Sequence, residues 1–355
     1  MFESGVYGAE RMSRTGNRTW AFLFTLMAGC LLQGCGLLMD AARLVQPLVP
    51  ELSDELDVIC RHRRLQVGIA VEPFPPFVFP VVWTDQGPRV TGLDIELVQA
   101  ITAALSKYCG GPPVTPILHL VHFRNLFVLL TEGHLDLFVS AIAYNVPHIT
   151  GTGIGYSSPY YSDAGIGGIS RRPEVIEQVR TALRQPAADE EVLAVRKGAL
   201  TGLTVAAQES RSPYLYAEEN LKGIRLVACD TLFAALESQD PPVDVILGKQ
   251  PILDFIINRE HQDWRPLVLE NGQPFLLTRE LLTVAMAEQS FRLRWLINDL
   301  LFQLEQSGRL AAMHRRWLEE DYAPDQRVTS EGLLTSAEKN IQPNDYGRCR
   351  RARGQ

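Results

Sequence analysis

The sequence has few residues of the kinds that bind metal ions. Its 355 residues include six cysteines and seven histidines, and these form neither a CxxC nor an HExxH pattern. Those spacings place two ligands on one zinc ion, so we expect no metal site and no cofactor. The GxSxG turn of a nucleophile elbow is missing too, because GYSSP at 155–159 departs from it.

Blocks of positive charge are also missing before the extreme C-terminus. The chain has 34 basic and 41 acidic residues, for a net charge of -7, and the basic run RCRRARGQ at its end is short. A protein that tracks phosphates needs a basic patch, so nucleic acid is excluded as a partner. The 46% hydrophobic content is typical of a globular protein, and the length allows two domains.

The N-terminus predicts export from the cytoplasm. Three arginines between residues 11 and 18 precede the apolar run WAFLFTLMAGCLLQGCG, the pattern of a secretory signal over 1–35 that could start at Met12. LLQGC at 31–35 resembles a lipoprotein signal in which Cys35 is lipidated, and LMAGC at 26–30 would use Cys30 instead. An uncleaved membrane anchor and plain secretion remain alternatives. Each of these places the folded part outside the cytoplasm.

Two of the remaining cysteines are placed where they could meet. Cys60 precedes the first predicted strand and Cys109 follows the first predicted helix. In a strand–helix–strand unit the helix returns to the starting end of the strand, so a Cys60–Cys109 disulfide is expected in an oxidising compartment. Two free thiols are the alternative.

The periodicity of the chain predicts two β-α-β-α-β sets, which favours mostly parallel sheets. Compact apolar runs alternate with helical spacing, as in RLQVGIAV followed by TGLDIELVQAITAALSKY. A charged, moderately helical stretch at 171–199 separates the two sets. Residues 36–59 are predicted to be a tether and the polar segment 325–355 a disordered tail.

Candidate site residues follow the predicted strands at their carboxyl ends, where open α/β sheets bind ligands. Aromatic side chains with a few polar groups suit a small polar ligand. Taken singly, each aromatic is equally compatible with core packing and each charge with a solvated loop. The first set contributes Glu72, Phe74, Phe77, Phe123, Ser140, Tyr144 and His148, and the second contributes Gln208, Ser210, Arg211 and Lys249.

Over about residues 63–322 the chain resembles the bacterial extracellular solute-binding proteins of family 3. The motifs that carry this resemblance include LQVGIAVEPFPPF, LLTEGHLDLFVSAIA, VDVILGKQP and INDLLFQLEQSGRLAAMHRRWL. The resemblance implies an α/β, two-lobed periplasmic-binding-protein fold of type II, with a double-crossover hinge. Lobe 1 would hold 60–164 and 275–324, and lobe 2 would hold 165–274. The protein would be a monomer that delivers solute to an ABC-type permease.

The resemblance also assigns roles to particular positions. The stacking aromatics of the family fall on Phe74 and Phe123, and its strand-end serine falls on Ser140. His148 stands where the family has the arginine that pairs with the solute's α-carboxylate, and Lys249 where it has the aspartate that holds the α-ammonium. A neutral imidazole cannot make the two-pronged guanidinium contact, and a lysine repels an ammonium group. Ser210 and Arg211 replace the family's two threonines, and Arg211 could supply the missing carboxylate contact.

We therefore expect a solute-binding lipoprotein of the periplasm or cell envelope, anchored by lipid, that captures a small polar solute, amino-acid-like or a small organic anion, for an ABC-type importer. The residues at His148 and Lys249 favour a small organic anion or a ligand that lacks an α-ammonium. We do not expect an enzyme, although a lyase resembling cyclohexadienyl dehydratase is an alternative on the same scaffold. A sensor or accessory envelope protein without transport, and a cleft that binds nothing, are further alternatives.

Overall fold

The structure, a computed structural model, describes residues 55–85, 87–144, 153–184, 192–259, 261–320, 334–337 and 347–352. The predicted signal, both candidate lipidation cysteines and His148 lie outside these ranges. No helix in the described part of the chain is both long and apolar enough to cross a membrane.

The first part of lobe 1 follows the predicted alternation of strands and helices. Its elements are α1 (Glu55–His62), β1 (Arg64–Ala70), β2 (Val82–Thr84), β3 (Gly87–Arg89), α2 (Leu93–Cys109), β4 (Thr115–Val121), α3 (Phe123–Thr131), β5 (Leu137–Ala143) and β6 (Ile154–Tyr156). Helix α2 buries Leu93, Leu97, Ile101 and Leu105, the stripe that its sequence predicts, and Gly110 (φ 61°) follows its end.

Lobe 2 repeats this alternation and is followed by the return to lobe 1. The elements of lobe 2 are β7 (Ile166–Ser170), α4 (Pro173–Ala182), α5 (Val192–Gly198), β8 (Thr204–Gln208), α6 (Ser212–Asn220), β9 (Arg225–Cys229), α7 (Leu232–Glu237), β10 (Val245–Lys249), α8 (Gln250–Arg259) and β11 (Arg265–Pro266). The return adds β12 (Leu282–Ala287), α9 (Phe291–Gln306), α10 (Arg309–His314) and a π-helical turn (Arg315–Glu319).

Each lobe is built on a six-stranded sheet with a parallel centre. The lobe 1 sheet has the order β13-β4-β1-β5-β12-β6, with β1 parallel to β4 and β5. The lobe 2 sheet has the order β11-β7-β10-β8-β9-β14, with β8 parallel to β9 and β10. Strands β13 (Leu334–Ala337) and β14 (Cys349–Arg351) come from the C-terminal segment. The architecture is the predicted pair of α/β lobes.

The two crossovers between the lobes run side by side. Leu277 N donates to Ile166 O at 2.8 Å, and Leu282 N donates to Tyr161 O at 2.8 Å. Phe275 and Leu277 pack in the core of lobe 2, and the return crossover follows them at 278–282. These paired segments form the hinge.

Two disulfides fasten the termini of the described fold. One joins Cys60 to Cys109, the pair that the strand–helix–strand arrangement allows, and the other joins Cys229 to Cys349. In the C-terminal segment, β13 pairs with β4 of lobe 1, and β14 pairs with β9 of lobe 2. The structure thus differs from the predicted disordered tail at 334–337 and 347–352. The polar composition does not reveal that edge pairing and a disulfide hold these residues.

Candidate functional site

The candidate site lies where the two lobes meet, at the carboxyl ends of their central strands. Glu72 follows β1, Phe123 follows β4, and Ser140 lies in the middle of β5, where its hydroxyl meets the last residue of β1, Ala70. Arg211 follows β8, and Lys249 ends β10 in lobe 2. Such strand ends are where open α/β sheets hold ligands.

The Arg211 side chain crosses from lobe 2 into lobe 1. Its guanidinium carbon lies 3.5 Å from the centroid of the Phe123 ring and 4.6 Å from that of Phe74. Nη1 donates a hydrogen bond of 2.9 Å to the carbonyl oxygen of Ser140. Arg211 is only 6% exposed, and its Nη2 has no hydrogen-bond partner among the described residues. One guanidinium donor in the cleft therefore remains available to an acceptor.

The backbone around Ala141 presents the Ser140 carbonyl to this guanidinium. Ala141 has a left-handed φ of 46°, an unusual conformation for a residue with a side chain, and its N–H donates to Asp94 Oδ2 at 2.9 Å. The hydroxyl of Ser140 accepts from Ala70 N at 2.9 Å and donates to Val139 O at 2.7 Å. Ser140 therefore contributes its carbonyl to the cleft, because its hydroxyl is already committed.

Asp94 is a buried residue of lobe 1 that supports the backbone at Ala141. Its second oxygen accepts a hydrogen bond of 2.7 Å from the Tyr160 hydroxyl. Burial raises the pKa of Asp94 to about 7, although the hydrogen bonds from Tyr160 and Ala141 act in the opposite direction. Gly92 precedes α2 with φ 145°, and a Cβ there would lie 2.0 Å from Phe77 O, so glycine is required for the approach that places Asp94.

Glu72 supplies a negative charge close to the Arg211 guanidinium. Its carboxylate accepts from Phe123 N at 3.0 Å and lies 3.1 Å from Nδ1 of His122. Burial alone would raise the pKa of Glu72, but the hydrogen bonds from His122 and Phe123 and the charge of Arg211 outweigh it and lower the pKa. The carboxylate is thus ionised at neutral pH and compensates the buried guanidinium.

The charge of Lys249 is compensated by Glu280, a residue of the return crossover. Its Nζ donates to the Glu280 carboxylate and, at 3.0 Å, to the Ser212 hydroxyl, which in turn donates to Glu280 at 2.9 Å. Both charged side chains are buried. Burial lowers the pKa of Lys249, and the Glu280 charge opposes that shift. The ammonium and carboxylate are therefore already paired.

Little space remains between these groups. The cavity at this point has a volume of about 30 Å³, enough for about two water molecules. Its lining includes Phe74, Ala141, Gln208, Arg211, Gly248 and Lys249. A solute larger than water enters only if the lobes part or the Arg211 side chain moves.

Other predicted site residues lie outside this cavity's lining. Phe77 is fully buried and packs edge-on against Tyr161 with ring centroids 5.7 Å apart. Tyr144 is 47% exposed and packs against Tyr156. Ser210 lies next to Arg211 with a left-handed φ of 64°.

Sequence reasoning did not single out Asp94, Glu280 or Ser212. Glu280 interrupts an apolar stretch, FLLTRELLTVAMA, and a charge inside such a run is a signal of a buried pair. Asp94 and Ser212 carry no comparable signal, because acidic residues and serines are ordinary at the start of a helix.

Apolar and backbone contacts also join the lobes away from the cavity. Phe255 of α8 packs edge-on against Phe79 of lobe 1, with ring centroids 5.4 Å apart. Arg259 donates to the carbonyl oxygen of Glu320 at 2.5 Å. The lobes are therefore in contact in this structure.

Comparison with solved structures shows the same fold in binding proteins. A mutant of ArgBP from T. maritima has a TM-score of 0.57 and 21% identity, covering 75% of this chain and 99% of its own. An amino acid ABC transporter substrate-binding protein from Streptococcus pneumoniae, bound to L-arginine, has a TM-score of 0.57 and 19% identity, covering 74% and 96%. The ancestral amino acid-binding protein AncCDT-1, a precursor of cyclohexadienyl dehydratase, has a TM-score of 0.58 and 17% identity, covering 74% and 99%.

A search of curated protein sequences finds no match. The sequence profile of one family, however, matches residues 65–320, most of the chain. Membership of a family of binding proteins agrees with the prediction that the chain is not an enzyme. The chain belongs to the bacterial extracellular solute-binding proteins of family 3.

Proposed function

We propose that this protein is a lipid-anchored, extracytoplasmic receptor that captures a small organic anion between its lobes and delivers it to an ABC-type importer. The observation that carries the proposal is the buried Arg211 guanidinium, which lines the cavity between the lobes and has a donor, Nη2, without a partner among the described residues. A carboxylate or similar oxygen at Nη2 would complete its hydrogen bonding, in a low-dielectric setting where charge-assisted bonds are strong.

The Lys249–Glu280 pair argues against an ordinary α-amino acid. An α-ammonium group near β10 would meet the ammonium of Lys249, and the neighbouring carboxylate already accepts from Lys249 and Ser212. A buried ammonium without an acceptor is costly. A solute with an anionic group and no α-ammonium avoids that cost.

The structural neighbours support capture of a solute for transport. The Streptococcus pneumoniae protein is a substrate-binding protein of an amino acid ABC transporter. We transfer the transport role to this chain as part of the proposal, together with attachment of the mature protein to the membrane through Cys35. Mass spectrometry of the mature protein tests that attachment, because acyl groups on another residue would contradict it.

A thermal-shift screen tests the proposed solute class. The full chain, purified in mild detergent, would be heated with small mono- and dicarboxylates in one set and with common α-amino acids in another. A ligand that binds only the folded state raises its apparent stability. We expect at least one carboxylate to raise the midpoint by about 2–4 °C at tenfold excess over its Kd.

The matched control is Arg211→Lys, which keeps the positive charge but loses the planar, two-donor group. We expect the carboxylate effect to weaken strongly in this variant. Stabilisation of the wild-type protein by α-amino acids, with none by carboxylates, would overturn the proposed solute class.

A further inference from the structure

Lobe 1 contains a narrow slot with the features of a site for a flat cation. The slot is formed by the rings of Phe74 and Phe123 and the carbonyl oxygen of Ser140, and the charge of Glu72 acts on the group that fills it. Aromatic faces attract a cation through their negative quadrupole, and a guanidinium combines that attraction with planar stacking and several donors. A carboxylate nearby adds charge compensation.

The occupant of this slot is a side chain of the other lobe. Arg211 follows β8 of lobe 2, yet its ring contacts, its hydrogen bond to Ser140 and the charge that compensates it most, Glu72, are all in lobe 1. The left-handed turn at Ser210 and a hydrogen bond of 3.3 Å from Arg211 N to Gln208 O fix the point from which the side chain leaves lobe 2. A side chain of the protein itself therefore occupies the slot.

We propose that Arg211 is an internal ligand: its guanidinium fills the slot of lobe 1 and holds the two lobes together in the absence of solute, and the slot accepts a free guanidinium ion when this side chain is removed. The inference rests on the proposed function in one respect, that the slot lies in the solute cleft. It deepens that function because the protein itself supplies the cationic group, so the solute needs only an anionic one.

The charges around Arg211 are consistent with this role. Burial lowers the pKa of Arg211 to about 10, and the charges of Glu72 and Asp94 oppose the shift. The guanidinium therefore stays protonated at neutral pH. Its exchange for a free guanidinium ion would leave the net charge of the slot unchanged, whereas a neutral occupant would leave Glu72 without compensation.

Chemical rescue tests the proposal. Arg211→Ala would be prepared as the full chain in detergent, and its thermal midpoint followed by the fluorescence of the buried Trp264 and Trp317. Guanidinium chloride would be added at low millimolar concentration, with sodium chloride at equal ionic strength as the reference. We expect guanidinium to raise the midpoint of Arg211→Ala saturably, by about 2–4 °C, and to leave the wild-type midpoint unchanged.

Two variants serve as controls for the slot. Arg172→Ala removes a half-exposed arginine of lobe 2 that pairs with Glu174 and Asp244, away from the cleft, so guanidinium should not stabilise it. Adding Phe123→Leu to Arg211→Ala removes the closest ring and should abolish the rescue. Equal shifts in the wild-type protein, in Arg172→Ala or in the Phe123→Leu double variant would overturn the proposal, as would no shift in folded Arg211→Ala.

A second measurement applies if Arg211→Ala does not fold. Nuclear magnetic resonance of arginine-labelled wild-type protein, assigned with Arg211→Lys, should show a guanidinium signal shifted by the ring of Phe123 and protected from solvent exchange. Solvent-like signals for every arginine would contradict the internal ligand. Both tests use no solute, so their failure is distinct from failure of the carboxylate screen.

Discussion

Arg211 and Lys249 are both buried cations of lobe 2, but their charges are compensated in different parts of the molecule. The Arg211 cluster, comprising Arg211, Glu72, Phe74, Phe123 and Ser140, spans the two lobes. The Lys249 cluster joins Lys249 to Ser212 and to Glu280 in the return crossover. Parting the lobes separates the Arg211 side chain from the rings and the carbonyl oxygen that it contacts in lobe 1, whereas Lys249 keeps partners in its own lobe and at the hinge.

This difference distinguishes a cation that stabilises the folded chain, Lys249, from a cation that joins the two lobes across the cleft, Arg211. The Lys249 cluster has no partner across the cleft among these contacts, so we expect it to support the folded state whether the lobes are together or apart. The Arg211 cluster exists only when the lobes are together. Substitution at Lys249 should therefore change stability, and substitution at Arg211 should change the balance between open and closed forms.

The largest effect is expected on breaking the Lys249 cluster. Lys249→Met leaves the buried Glu280 carboxylate without its cationic partner, which we expect to cost about 3–5 kcal/mol of unfolding free energy. Urea denaturation followed by tryptophan fluorescence measures this cost, as a lower midpoint with an unchanged slope.

The double variant Lys249→Met, Glu280→Leu provides the control for that prediction. Replacing a buried ion pair by apolar side chains of similar volume is often neutral, so most of the stability should return. A single variant that loses less than about 1 kcal/mol would place the pair among exposed ion pairs and contradict the buried geometry.

A more gradual effect is expected from pH, which acts on the Arg211 cluster through Asp94. The pKa of Asp94 is about 7 in the folded protein, raised by burial from an ordinary 3.8. Between these values the folded state holds a proton that the unfolded state has released. Stability should therefore fall as pH rises from 4 to 7, by at most about 1.4 kcal/mol per pH unit from this group.

The measurement is the urea midpoint as a function of pH for wild-type protein and Asp94→Asn. The amide does not titrate, so the downward slope should become smaller in that variant. Asp263→Asn, at an exposed position, should keep the wild-type slope. Equal slopes in wild type and Asp94→Asn would show that Asp94 does not carry the proton.

Much of the fold is predictable because its signals are local and repeated. The stripe of Leu93, Leu97, Ile101 and Leu105 and the β-branched run of β1 determine elements that alternate, and alternation implies parallel sheets. The strands β13 and β14 are not predictable in this way. Their segment is polar, and its structure depends on pairing with β4 and β9, far away in the sequence.

The location of the candidate site can be predicted from the sequence, but the contacts of its side chains cannot. Strand ends and the family resemblance lead to Phe74, Phe123 and Arg211 from the sequence alone. Whether Arg211 points to solution or into the opposite lobe depends on contacts between residues more than 70 positions apart, as its bond to Ser140 shows. The pairing of Lys249 with Glu280 cannot be predicted for the same reason, since the two residues are 31 positions apart in the sequence.

The distance between the lobes in the solute-free protein tests the central claim most directly. Spin labels would be placed at Arg124 of lobe 1 and Glu219 of lobe 2, both exposed, in the wild-type chain and in Arg211→Ala. Electron–electron double resonance reports the distribution of distances between them. If Arg211 holds the lobes together, the wild-type protein shows one narrow, short distance and Arg211→Ala a longer or broader distribution. Identical distributions in the two proteins would contradict that claim.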